Sequence, residues 1–180
     1  TKVIVDKARK VNSLVRILPT RKTLWGQLDK RACSLGGGGT HRNGLYDAIL
    51  IKDNHLDAID RDIPSAIQRF FPYKGSAKFI EIEVENQKEA LLAAQEFKKL
   101  KKSGLCRLPC YIMLDNVASA ELKKTLRSLE KKDLRNVCGI EVSGGMTEKN
   151  VVEYAKTGVD VISMGCLTHS APMMDFSLEV

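Results

Sequence analysis

No hydrophobic run in this chain approaches the roughly 18 residues that a membrane-spanning helix needs. Its five cysteines (Cys33, Cys106, Cys110, Cys138 and Cys166) show no CxxC pair and no Cys/His finger spacing. An odd count without metal-ligand spacing reads as free thiols, as expected in a reducing cytoplasm. Aromatic residues do not interleave with the lysine clusters Lys98-Lys99-Leu100-Lys101-Lys102, Lys123-Lys124 and Lys131-Lys132. These clusters carry much of the net charge of +7. Without rings to stack on bases they read as solvated helix faces, so neither nucleic acid nor membrane is an expected partner. No signal pattern heads the sequence, whose first residues, from Thr1, read as helix. The expectation is a piece of a longer protein.

What is present is ordinary globular material. The 180 residues are 43% hydrophobic and 28% charged, which predicts one domain over 1–180 with a sizeable core. Val3, Ile4, Ala8 and Val11 recur at helical spacing, predicting a helix over 1–12. Leu14-Val15-Arg16-Ile17-Leu18 reads as a strand closed by Pro19, and 24–34 as a helix carrying Leu28, Ala32 and Cys33. The glycines at 36–39 end that helix. A strand over 46–52 and a helix over 62–74 follow. In the strand over 78–85, Ile80, Ile82 and Val84 alternate with Glu81, Glu83 and Glu85, so period two puts three carboxylates on one face, aimed into a barrel mouth. Helices over 86–102, 119–131 and 148–156 then alternate with apolar strands over 111–114, 137–142 and 159–164. Repeated strand–helix units with apolar strands predict a parallel sheet with helical crossovers, as an open β/α barrel (TIM-like, six to seven strands).

Polar residues and glycines cluster just after these strands, where such a barrel builds its site. Arg21, Lys22, His41, Arg42 and Lys52 make a dense cationic group. Arginine can hold a carboxylate with two parallel hydrogen bonds, while lysine supplies a point charge. Ser143-Gly144-Gly145 and Gly165, after the last two strands, allow backbone amides to approach a phosphate. Glu83 and Asp115 can orient sugar hydroxyls or hold a divalent cation. Together these suggest phosphoryl-sugar chemistry on an anionic substrate, and the residue types alone go no further.

Seven pieces occur in a fixed order: Thr20-Arg21-Lys22-Thr23, Gly37-Gly38-Gly39-Thr40-His41-Arg42, Leu50-Ile51-Lys52-Asp53-Asn54-His55, Glu83-Val84-Glu85-Asn86, Met113-Leu114-Asp115-Asn116, Glu141-Val142-Ser143-Gly144-Gly145, and Asp160 through Gly165 continuing to Ser170-Ala171-Pro172. This set resembles quinolinate phosphoribosyltransferase, the decarboxylating nicotinate-nucleotide pyrophosphorylase of NAD biosynthesis, across essentially the whole chain. The resemblance implies the C-terminal barrel of a two-domain architecture whose N-terminal α/β sandwich precedes this stretch. It implies Mg²⁺ as cofactor, quinolinate and phosphoribosyl pyrophosphate as substrates, and dimers or hexamers in which a neighbouring subunit completes the pocket with an arginine. Carried over, Arg21, His41, Arg42 and Lys52 would hold the quinolinate carboxylates. Lys22 would meet the pyrophosphate, Glu83 and Asp115 the ribose and Mg²⁺, and Ser143, Gly144, Gly145, Gly165 and His169 the 5′-phosphate. Lys52, Glu83 and Asp115 would be catalytic. The chain departs from the family at Leu24-Trp25-Gly26, where Thr-Pro-Gly is common, and at Gln27, where an apolar residue is usual. A rigid turn is thereby lost and bulk is added near the pocket.

Overall fold

The computed structural model describes residues 1–172, 175 and 177–179. Seven helices and six strands alternate: α1 (Lys2–Arg9), β1 (Arg16–Pro19), α2 (Gln27–Leu35), β2 (Ile49–Ile51), α3 (Asp53–Asp57), α4 (Ile63–Phe70), β3 (Ile80–Val84), α5 (Gln87–Lys102), β4 (Cys110–Asp115), α6 (Ser119–Lys131), β5 (Gly139–Ser143), α7 (Val151–Ala155) and β6 (Val161–Met164). All pairings are parallel, in the order β1-β6-β5-β4-β3-β2. Among the described residues no ladder joins the edge strands β1 and β2, so the barrel is open along that seam.

Period two divides the sheet into two chemistries. Ile17, Ile51, Ile80, Ile82, Val84, Ile112, Leu114, Ile140, Val142 and Ile162 are buried together against the helices. The alternate residues, Leu18, Glu81, Glu83, Met113, Asp115, Glu141, Ser143 and Ser163, line cavities inside the curl. The apolar core therefore lies between sheet and helices, and the barrel interior is polar.

The seam is filled by chain rather than by a strand. After α2 ends, the Gly39 amide donates to the Ile17 carbonyl at 2.9 Å, laying the segment along the free edge of β1. A side chain at Gly39 would meet the end of the Leu18 side chain, which would have to shift to make room. His41 and Arg42 follow at once and are carried into the interior.

Several elements differ from their sequence-based bounds. Strand β1 starts at Arg16, and Leu14 is 86% exposed. Helix α1 is shorter, burying Ile4, Val5 and Ala8 while Val3 and Val11 face solvent. Helix α2 begins at Gln27 and buries Lys30 and Cys33, not Leu28 or Ala32. Strand β2 is only three residues long. Asp53-Asn54-His55 opens α3 rather than merely ending a strand, and His55 Nδ1 accepts the Lys52 amide at 3.0 Å. The segment 62–74 divides into α4 and a 3-10 turn at Pro72 (Phe71–Lys74), since proline cannot continue the helix ladder. Of the three carboxylates expected on one face, Glu85 lies beyond β3 and pairs with Arg61 at 3.5 Å outside the barrel. Twist at the strand end rotates it away from the alternation.

The shift of β1 is directly testable by urea denaturation. Ile17→Ala should cost about 2–5 kcal/mol, as for other buried Ile truncations. Leu14→Ala should stay within about 0.5 kcal/mol.

Candidate active site

The C-terminal strand ends open into two adjoining clefts. One, of about 400 Å³, is lined by Arg21, Lys22, His41, Arg42, Lys52, Glu83 and Asp115. The other, of about 490 Å³, is lined by Lys22, Asp115, Ser143, Gly144, Gly145, Gly165 and His169. Thr20, Lys22, Asp115, Ser143 and Ser163 border both, so the two are continuous. Each is in the size range of small-molecule sites. Every candidate residue read from the sequence thus lies on one connected surface, although they span positions 21 to 169.

The first cleft is cationic with an acidic rim. Arg42 is 8% exposed, and its guanidinium has no hydrogen bond or ion pair among the described residues. Burial, then the neighbouring Arg21, holds its pKa below the usual value. Lys52 Nζ stands 3.5 Å from Glu83 Oε2. Burial pushes the Glu83 carboxyl up, Lys52 opposes this, and Asp115 adds to it. The two carboxylates feel each other across the β3–β4 step and offer hard oxygen donors of the kind Mg²⁺ takes.

His41 is engaged within the protein. Its Nε2 lies 3.2 Å from Glu81 Oε2 and 3.4 Å from Glu141 Oε1, and its Nδ1 accepts the Arg42 amide at 2.7 Å. Ser163 Oγ donates to Glu141 Oε1 at 2.5 Å. Burial opposes charge on the ring, but hydrogen bonding and the negative charge of Glu141 and Glu81 outweigh it, raising the pKa from 6.5 to about 10. An imidazolium would need a proton on Nδ1, where the Arg42 amide already points. Geometry decides this conflict: the ring proton sits on Nε2, and any further proton of the cluster lies on the carboxylates. Glu81 itself is pushed up to about 7 by burial and then by Glu141. With neither ring nitrogen free, direct contact between His41 and a substrate carboxylate would need one of these partners displaced.

The second cleft is bounded by glycine loops. Gly144 has φ +86, and a Cβ there would strike the Asn116 side chain and amide. A Cβ on Gly165 would strike the His169 ring, so backbone and imidazole pack without room for a side chain.

Lys30 escaped the sequence reading. It is 3% exposed, and its Nζ donates to the Thr40 carbonyl at 2.5 Å, pinning the segment before His41. Burial lowers its pKa, and Arg21 and Arg42 lower it further. Helical spacing to Cys33 was the available signal, masked by the more apolar Leu28 and Ala32. Glu141 was quoted only as part of a motif, although it alternates with Ser143 as Glu81 does with Glu83.

Residues 1–179 match the family described as quinolinate phosphoribosyl transferase, C-terminal domain. The chain belongs to that family. Its C-terminal-domain relatives include the probable nicotinate-nucleotide pyrophosphorylase (carboxylating) of Methanocaldococcus jannaschii, 42% identical over all of this chain and 60% of that protein. The nicotinate-nucleotide pyrophosphorylase (carboxylating) of Rattus norvegicus is 36% identical over 89% of the chain and 50% of its own length. The crystal structure of NadC from Streptococcus pyogenes superposes with TM-score 0.81 at 29% identity, covering 99% of this chain and 57% of that one. The chain thus spans about three-fifths or less of these relatives, over the family's C-terminal domain.

Both glycines of the Ser143-Gly144-Gly145 loop have positive φ, but only Gly144 is crowded; at Gly145 (φ +61) nothing lies within 4 Å of the added atom. Gly145→Ala should cost about 1–2 kcal/mol for the left-handed backbone. Gly144→Ala should cost clearly more because Asn116 must also move. Chemical denaturation of the two variants gives the comparison.

Proposed function

We propose that this chain is the catalytic barrel of a quinolinate phosphoribosyltransferase. The reaction joins quinolinate to phosphoribosyl pyrophosphate and releases pyrophosphate and CO₂, giving nicotinate mononucleotide for NAD biosynthesis. The observation that carries the reading is the Arg42 side chain, 8% exposed and with no hydrogen bond or ion pair on its guanidinium among the described residues, sharing one cleft with Arg21 and Lys52. An unpaired buried cation costs stability, and a bound anion relieves that cost. Three cations lining one cleft favour a dicarboxylate over a monocarboxylate.

In this reading Arg21, Arg42 and Lys52 hold the carboxylates, with His41 behind them. The pyridine nitrogen then faces C1 of a ribose whose 5′-phosphate rests on Ser143, Gly144, Gly145 and Gly165 beside His169. Glu83 and Asp115 steady the positive charge that develops at C1 as pyrophosphate leaves, and Lys22 meets the leaving group. Holding both substrates in line removes the entropic cost of their encounter. Once the ring nitrogen is quaternised, loss of CO₂ leaves its electron pair on the neighbouring ring carbon, stabilised by the positive nitrogen, and that carbon then takes a proton from water. No covalent nucleophile is required of the protein, and the cysteines need no role. Glu83 and Asp115 suit Mg²⁺, which when bound supplies Lewis-acid charge to the pyrophosphate oxygens. The reading also includes a homodimer or hexamer whose neighbouring subunit adds an arginine to the pocket, and a cytoplasmic setting.

Calorimetric titration of the full-length protein with quinolinate and with nicotinate tests the substrate. Tighter quinolinate binding is expected; equal affinity for the two acids would reject the dicarboxylate pocket. Arg42→Ala should weaken quinolinate by at least about thirtyfold, the low end for removing one partner of a buried charge pair. Phosphoribosyl pyrophosphate should bind nearly as before, and a matching loss there would undo the role given to Arg42.

A further inference from the structure

Glu81 is the most deeply buried charged side chain of the barrel interior, with 0% exposure and neither carboxylate oxygen in a hydrogen bond among the described residues. Its near polar neighbour is His41 Nε2 at 3.2 Å. A buried carboxylate so poorly satisfied costs stability, and an apolar residue of similar size would serve folding at least as well. What Glu81 does is therefore to be sought in what it holds.

We propose that Glu81 is a positioning residue for Arg42, acting through His41, with Glu141 as the second anchor. His41 has φ +53, a left-handed backbone that non-glycine residues adopt at a cost. That backbone is held at one end by Lys30 on the Thr40 carbonyl and at the other by the Asp47 carboxylate on the Asn43 amide, 2.9 Å away. The ring is held by Glu81 from β3 and by Glu141 from β5, the latter braced by Ser163 from β6. With Nε2 carrying the proton toward the carboxylates, Nδ1 is left as an acceptor, and it takes the Arg42 amide. The chain of contacts fixes the backbone of Arg42 and so aims its unpaired guanidinium into the cleft. Phe79 closes the edge of the His41 ring, its centroid 5.7 Å away and nearly perpendicular.

The same three groups lie close enough together to hold a metal ion. The Arg42 amide on Nδ1 argues for the other use, because the protonated Nε2 occupies the space between the carboxylates where an ion would sit. The assignment rests on the quinolinate reading only for its choice of probe.

The test compares Glu81→Gln with Glu81→Leu in the full-length protein. Both remove the negative charge, and only Gln can still accept from Nε2–H. Three readouts are taken: thermal midpoint, affinity for quinolinate against phosphoribosyl pyrophosphate, and the ¹⁵N spectrum of the His41 ring. Glu81→Leu should keep or raise the thermal midpoint while weakening quinolinate about tenfold relative to Glu81→Gln, as expected when a buried ring N–H loses the polar atom that faces it. Phosphoribosyl pyrophosphate affinity should be the same in both variants. The ring should show the Nε2–H tautomer in the wild type and in Glu81→Gln, and tautomer exchange in Glu81→Leu. Equal quinolinate affinity in the two variants, or an unchanged ring spectrum in Glu81→Leu, overturns the proposal. A parallel loss of both ligands and of stability would mark Glu81 as structural and overturns it too. Failure of the wild type to bind quinolinate sinks the substrate reading instead, and the ring spectrum then judges the positioning role alone.

Discussion

Everything in this barrel follows from how a curled parallel sheet fills its inner face. The outer face is buried under helices and is mostly aliphatic, so it sets the fold. The inner face is too polar to close on itself. It is occupied by an ionic cluster, in which His41 stands between Glu81 and Glu141. That cluster can exist only because the sheet is open. The missing β1–β2 ladder admits the segment carrying His41 and Arg42, which no strand-borne residue could replace. The seam is thus a means of bringing loop chemistry into a barrel interior.

The site has a corresponding division of labour. Below lies a polar cluster whose members face one another. Above lies a cleft in which the Arg42 guanidinium has no hydrogen bond or ion pair among the described residues, while Lys52 and Glu83 face each other at 3.5 Å. The glycine loops after β5 and β6 continue the same surface. Their approach to Asn116 and His169 leaves no space for a side chain, which keeps backbone amides available at the strand ends. Cationic side chains line one end of this surface and the glycine loops the other.

Much of this was legible beforehand. The strand alternation at Ile80–Val84 and the glycines after β5 needed only periodicity and the special backbone freedom of glycine. The cationic residues were visible as types, and their order carried the family resemblance. Boundaries were less legible, because apolar residues such as Leu14 and Leu28 fit a core pattern yet face solvent. Buried Lys30 was hidden for the converse reason: a lysine reads as surface until its ammonium is seen on the Thr40 carbonyl.

The amino-acid order alone determined the alternating β/α architecture, because local periodicity and strand-end chemistry are written residue by residue. It also held the residues that line one connected surface at the strand ends. Only the tertiary structure decided which charges are spent on one another. Whether His41 faces a substrate or two carboxylates depends on the curl that brings β3 and β5 to within about one hydrogen bond's reach of a loop between α2 and β2. No local pattern records a contact between residues 41, 81 and 141. The sheet's curvature creates it, and with it the free guanidinium beside it.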